Sequence, residues 1–285
     1  MRQLTLLSPA KLNLYLKVLG KRPDGFHNLK TIFERIDLCD EIFFRKNRSG
    51  RISIRCENPQ VPKGRKNLVF KAAELLQKEF QVPFGVDVTI KKRIPVAAGL
   101  AGGSSNAATT LLGLNRLWDL GLSQSILVGF AKKLGSDVAF FIYDTPWALG
   151  TERGDRIRKL KISVRIWHIL VVPRTKMYSR EVFTHFKLKL TKQNDNANIL
   201  IRYFKNNNLL KARDYLKNDL ETSILSIAPH LNRVISRFSD LGVVGPRFSG
   251  SGPAVYGVVE SQSQAVVLQA VLAPRYRQVF VVRTY

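Results

Sequence analysis

The 285-residue chain has two cysteines, Cys39 and Cys56. They are neither CxxC-spaced nor numerous, which argues against a zinc site or a disulfide scaffold and fits inert thiols in a reducing compartment. Long apolar runs are also missing. No stretch of about 18 apolar residues occurs, so no membrane span is expected. In the opening MRQLTLLSPAKLNLYLKVLG, Lys11 and Lys17 interrupt the apolar pattern and no cleavage site follows, unlike a signal peptide. A cytoplasmic protein with no membrane partner is expected. Acidic residues are scarce, 21 against 46 Lys and Arg, for a formal charge of +25. Such an excess fits a polyanionic partner, whether nucleic acid, phosphorylated metabolite or anionic lipid, and equally fits a proteome-wide basic bias. The basic runs at 45–55, 63–66, 153–161 and 187–192 are short and broken by apolar residues. With no basic tail and no basic stripe interleaved with aromatics, a nucleic-acid partner is not expected. GxxxxGK[ST], the HRD and DFG set and a full GxGxxG are all absent, which excludes a P-loop, a protein kinase and a dinucleotide fold.

What is present is an ordinary globular composition, 45% hydrophobic and 9% aromatic. Leu12, Leu14 and Leu16 alternate with Lys11, Asn13, Tyr15 and Lys17, a strand period. Pro23, Asp24 and Gly25 form a turn signature, and TIFERIDLCDEIFFRK and GRISIRCE read as strands. NLVFKAAELLQKEF has a helical period with Asn67 at the N-cap position, and Ser123 and Gly135 bracket the helix LSQSILVGFAKKL. DVAFFIYDTPWALGTERGDRIRKL reads as strand-like runs mixed with turns, and 191–208 as an irregular polar stretch. VRIWHILVV and RQVFVVRTY read as strands; LLKARDYL, HLNRVISRFSDLG and AVVLQAVLAP read as helices.

Residues 95–108, PVAAGLAGGSSNAA, hold three glycines and no charge, and lead into a helix predicted from about residue 105 to 118. Glycine allows positive φ and close backbone approach to a ligand. The first amides of a helix lack intrahelical partners, and the dipole adds roughly half a positive charge there, so phosphate is the natural occupant. Ser104 and Ser105 add hydroxyls. The alternative is a tight strand-to-helix connection whose small residues serve packing.

This loop resembles the phosphate loop of the GHMP kinases, the family of galactokinase and of homoserine, mevalonate and phosphomevalonate kinases. SPAKLNLYLKVLGKRPDGFHNLKTIF, LGSDVAFF and RFSGSGPAVYGVV fall in that family's order, over residues 7–259, and resemble most its branch acting on 4-diphosphocytidyl-2-C-methyl-D-erythritol. The chain departs from that branch at Phe26, where tyrosine is common, and at Ser136 and Ala139, where alanine and proline are usual. The resemblance implies an α+β, two-domain GHMP-kinase architecture. The N-terminal domain (1–153) would be like ribosomal protein S5 domain 2, the C-terminal domain (154–285) ferredoxin-like, and the active site would lie between them. It implies ATP, brought as its Mg2+ complex with unassigned protein ligands, as donor, and the small molecule's 2-hydroxyl as acceptor. Asp137 and Lys11 match the catalytic pair. The ATP site would take Pro95, Val96, Ala97, Ala98, Gly99, Leu100, Ala101, Gly102, Gly103, Ser104 and Ser105, with Asn67, Leu68 and Lys92 lining the adenine pocket. Asn13, Phe26, His27, Phe183, Gly250 and Gly252 would meet the substrate, His27 reading cytosine between the rings of Phe26 and Phe183. Monomer and homodimer both remain open.

Overall fold

The computed structural model describes residues 2–188 and 195–285, so 189–194, shared by the basic run 187–192 and the polar stretch 191–208, lie outside the described residues. In chain order, β1 (Gln3–Lys21), β2 (His27–Asn47) and β3 (Ile52–Cys56) lead to α1 (Leu68–Glu79) and β4 (Gly85–Lys91). Next come α2 (Gly102–Leu117), α3 (Gln124–Leu134), α4 (Val138–Ile142), β5 (Trp147–Glu152), β6 (Arg156–Lys159) and β7 (Trp167–Val171). The remainder is α5 (Ser179–Thr184), α6 (Ala197–Lys205), α7 (Leu209–Arg213), β8 (Lys217–Asn218), α8 (Glu221–Ile227), α9 (Asn232–Asp240), β9 (Arg247–Phe248), β10 (Val255–Val259), α10 (Gln262–Leu272) and β11 (Val279–Arg283).

These strands form two sheets. The first runs β3-β4-β2-β1-β8, with β5 on β2 and β6 on β5; the second is β11-β7-β10-β9, antiparallel throughout. β1 ties the halves together. It pairs antiparallel with β2 along its length, while Tyr15 and Leu16 pair in parallel with Lys217 and Asn218 of β8. The alternation read along β1 is real, yet both faces are covered, and residues 8–16 are all buried. Leu12 and Leu14 enter an apolar core that reaches Leu170 and Tyr256 of the second sheet. Fully burying each such leucine stabilises the fold by about 1.5–3 kcal/mol. A second core packs α1, α2, α3 and α4 on the first sheet, and a third packs α8, α9 and α10 on the second.

Local signals set several boundaries as expected. Asn67 caps α1 by accepting from the Val69 amide at 2.9 Å. Ser123 caps α3 through the Ile126 amide, and Gly135 ends it. Other readings are corrected. Val138–Ile142 is a buried helix, because a short apolar run carries no period that separates strand from helix. Helix α6 lies in the stretch read as irregular; Ala197, Leu200, Ile201 and Phe204 form its buried face, obscured in the sequence by the flanking asparagines. The chain leaves the first sheet only after Lys159, so the division expected at 153/154 falls inside the β5–β6 hairpin. Among the described residues no helix is long and apolar enough to cross a membrane.

Candidate active site

A cleft of about 1140 Å³ is lined by residues from both halves of the chain, including Lys11, Asn13, Asn67, Asp137, Phe183 and Gly250. Lys11 lies on β1, and its amide donates to the Leu100 carbonyl of the glycine loop at 3.1 Å. Its side chain is almost fully buried, with Nζ 3.6 Å from Asp137 Oδ2 and hydrogen-bonded to Asn13 Oδ1. Burial pushes the Lys11 ammonium below the ordinary lysine value of 10.5, and the Asp137 carboxylate opposes that shift. Asp137 immediately precedes α4 and makes no capping bond; about a third of its side chain is exposed. Helix α4 is held from behind by Arg35, whose guanidinium donates to the carbonyls of Phe140, Phe141 and Tyr143 and stacks over both phenyl rings. Asn13 Nδ2 donates to Thr31 Oγ1 at 2.8 Å, so this side chain is committed to Lys11 and Thr31. Gly250 has positive φ, and a Cβ there would come within 2.9 Å of Asn13 Oδ1 and 3.2 Å of Lys11 Nζ. Its lack of a side chain is what lets this turn lie against the pair.

The glycine loop approaches the cleft in another way. Helix α2 begins at Gly102, earlier than expected, so Gly102, Gly103 and Ser104 form its first turn and present amides. The left-handed positions in the loop are Ala97 and Ala101 as well as Gly99. An alanine held there costs on the order of 1–3 kcal/mol, a strain met at ligand-binding loops. The three glycines answer different demands. Gly99 sits against the turn of RFSGSGPAVYGVV, where a Cβ would lie 2.1 Å from the Ser249 carbonyl oxygen; a Cβ on Gly102 would lie 2.9 Å from Ile94 and Lys92; one on Gly103 would meet only Leu68, at 3.9 Å. Leu100 is core, and Ser105 turns inward to accept a hydrogen bond from Ser8 at 2.8 Å, so neither lines the cleft as expected. Gly252 likewise packs on Ile224 and Phe248, away from the cleft. Lys92 does line it, but its ammonium is buried and bound to Asp40 at 2.7 Å. Asn67 and Leu68 line the cleft as well, although the Asn67 amide is occupied by the α1 cap and the Pro62 carbonyl.

A third group surrounds the turn before β2. Phe26 is 52% exposed, and the Arg153 guanidinium lies 5.1 Å from its ring centre. His27 stacks on Phe183 at 5.2 Å and 24°, and Phe186 approaches His27 edge-on. The second-half ring therefore faces His27, and the Arg153 guanidinium lies over one side of the exposed Phe26 ring. Burial and the nearby Lys21 disfavour the charged form of His27 and hold its pKa below the ordinary value of 6.5.

Residues 67–145 match the family model for the GHMP kinases N terminal domain, and 200–277 that for GHMP kinases C terminal. Over 286 residues, 99% of each chain, the sequence is 38% identical to the 4-diphosphocytidyl-2-C-methyl-D-erythritol kinase of Syntrophus aciditrophicus. It is 40% identical to that of Citrifermentans bemidjiense over 93% of this chain and 92% of the relative. This chain belongs to the 4-diphosphocytidyl-2-C-methyl-D-erythritol kinase family of GHMP kinases. A crystal structure of 4-(cytidine 5'-diphospho)-2C-methyl-D-erythritol kinase superposes with a TM-score of 0.84 at 28% identity, covering 99% of this chain and all of that one. A homoserine kinase from Cytophaga hutchinsonii shares the fold, with a TM-score of 0.76 at 16% identity, covering 100% of this chain and 95% of that one.

The kinase also has site residues that sequence reading passed over. Asp40, fully buried, accepts from Lys92 Nζ, the amides of Arg93 and Ile94, and Asn106 Nδ2, which fixes the segment entering the loop. The Ser249 hydroxyl accepts from the Asn13 amide at 3.3 Å and donates to the Gly99 carbonyl at 3.1 Å, joining the three motifs. Tyr256 donates to the Asn13 carbonyl at 3.1 Å. Asp40 stands in β2 among other charged residues such as Asp37 and Glu41, and Lys92 follows Lys91 just past the end of β4, so neither stands out in the sequence.

Proposed function

We propose that the kinase transfers the γ-phosphoryl group of ATP to the 2-hydroxyl of 4-diphosphocytidyl-2-C-methyl-D-erythritol, a step of isoprenoid precursor synthesis by the non-mevalonate route, in the cytoplasm. Phosphoryl transfer asks a protein chiefly for positioning and charge stabilisation. The amides of Gly102, Gly103 and Ser104, with the Ser104 hydroxyl, hold the phosphates at the start of α2. Asp137 accepts the proton of the attacking hydroxyl. Lys11, fixed by Asn13 and the close turn at Gly250, offsets charge on the transferring group. Asn67 and Leu68 border the adenine, with Lys92 beneath. Phe26, His27 and Phe183 take the cytidyl group.

Among the described residues no cluster of three or more His, Cys, Asp and Glu is arranged for a metal. The donors present, the Asp137 carboxylate and the Ser104 hydroxyl, suit a Mg2+ ion held mainly by phosphates and water. Bound there, it would neutralise phosphate charge.

The observation that carries this reading is the buried Lys11 facing Asp137 at 3.6 Å, on a strand whose next bond goes to the phosphate loop. The test is ADP release with 4-diphosphocytidyl-2-C-methyl-D-erythritol, against mevalonate, homoserine and galactose. Turnover of the cytidyl substrate alone is expected; turnover of one of the others alone would overturn the reading.

A further inference from the structure

The cationic groups of the cleft are not equally available. Lys11 is engaged by Asp137, and Lys92 by Asp40. Arg153, which no catalytic or nucleotide-loop role accounts for, also lines the cleft, from the tight turn between β5 and β6. The register brings that turn to the cytidyl end, since Glu152 pairs with Leu29, two residues beyond His27. Two contacts hold the side chain there. Its Nη2 donates to Asp155 Oδ2 at 2.7 Å, and its guanidinium lies over Phe26 at 5.1 Å. Asp155 is itself only 4% exposed, and its other oxygen, Oδ1, is buried with no hydrogen-bond partner. The carboxylate therefore depends on Arg153 and fixes it in return.

A guanidinium lying over an aromatic ring presents its π face to the ring and keeps its N–H donors in its own plane. Arginine has five such donors, of which one is used by Asp155. The remaining edge is a planar fork of the kind that takes a phosphate by two parallel bonds. Lys21 and Arg180 line the same cleft and make its potential positive.

Resting on the cytidyl-substrate reading above, we propose that Arg153 binds the diphosphate of the cytidyl substrate and is a specificity-determining residue for it. Its perch on Phe26 puts the phosphate contact beside the base site, so base and diphosphate are read together. ATP phosphates, at the α2 N-terminus, do not use it.

The test is calorimetric binding of cytidine 5'-diphosphate, cytidine and ATP to the full-length protein. Because R153Q would strand the buried Asp155 carboxylate, the variants are R153K, which keeps the charge and loses the fork, and the double variant R153Q/D155N. Thermal melting checks that both are folded. For the double variant, cytidine 5'-diphosphate affinity should fall about tenfold (~1.4 kcal/mol), with cytidine and ATP affinities unchanged; R153K should fall in between. Equal losses for cytidine and its diphosphate would overturn the proposal, since Arg153 would then act only through the Phe26 ring. So would an equal loss for ATP, or no loss at all. Failure of the wild-type protein to bind cytidine 5'-diphosphate would instead count against the cytidyl-substrate reading itself.

Discussion

The two ends of the cleft are built on opposite plans. At the phosphate end the polar side chains are bound to one another. Asp40 alone collects four donors, Lys92 is buried against it, and Ser105 points to Ser8. What remains facing the cleft there is mostly backbone, the first turn of α2 and the strained alanines before it. At the cytidyl end the contacts are ring faces and long side chains. His27 lies on Phe183, Arg153 lies on Phe26, and Phe26 and Tyr178 are more than half exposed. A frame of buried hydrogen bonds holds amides in one geometry, which suits a ligand that always presents the same phosphates. Ring stacking offers flat apolar faces, which suits a base. The catalytic pair combines both plans, with Lys11 in the frame and Asp137 part-exposed.

The largest expected effect is on the frame. Asp40→Asn would leave the Lys92 ammonium buried without its partner, and breaking one side of a buried pair costs about 3–5 kcal/mol. Urea unfolding should show a loss of that size; unchanged stability would remove Asp40 from the frame. Asp137→Asn comes next. It should keep the fold and ATP binding and lower kcat by about 10²-fold or more, read in single-turnover assays, and near-normal turnover would take Asp137 out of the chemistry.

Two glycines then sharpen the contrast within the loop. Gly103→Val points into open space beside Leu68, so it should weaken ATP binding by about tenfold, within the usual cost of an inserted side chain, and leave the melting temperature unchanged. Gly99→Ala would meet the Ser249 carbonyl from a positive-φ position, so it should lower the melting temperature as well. If the two behave alike, the loop is a packing device and not a backbone phosphate site.

At the cytidyl end effects should be smaller and confined to one substrate. Phe183→Ala should raise KM for the cytidyl substrate about tenfold, one lost stacking face, with KM for ATP unchanged. Phe26→Tyr should be close to neutral because the ring is kept. For pH, the His27 imidazolium lies below the ordinary value of 6.5. The midpoint of any loss or gain of cytidine affinity that follows protonation of this ring should therefore lie below 6.5. A midpoint above 6.5 would mean that another group titrates with binding.

The alternation along β1, the caps at Asn67 and Ser123, the stop at Gly135 and the order of the three motifs were legible in the sequence. Each depends on neighbours within a turn or two of chain, where period and capping act. The same local rules predicted the helix after the glycine loop but started it late, since glycines 102 and 103 have low helix propensity and yet form the first turn of α2. Phe183 was placed in the substrate site by motif position, yet its partner there is His27, a contact made by folding the second half onto the turn before β2. The alternating pattern put Lys11 and Asn13 on one face of a strand and could not say that this face is covered. Burial of Lys11, its approach to Asp137, the collection of donors on Asp40 and the hold of Arg35 on α4 come from segments remote in the chain. A two-residue period determines which side chains share a face. What covers that face, and so whether a lysine there is a solvated charge or half of a catalytic pair, is decided by which distant elements pack on it.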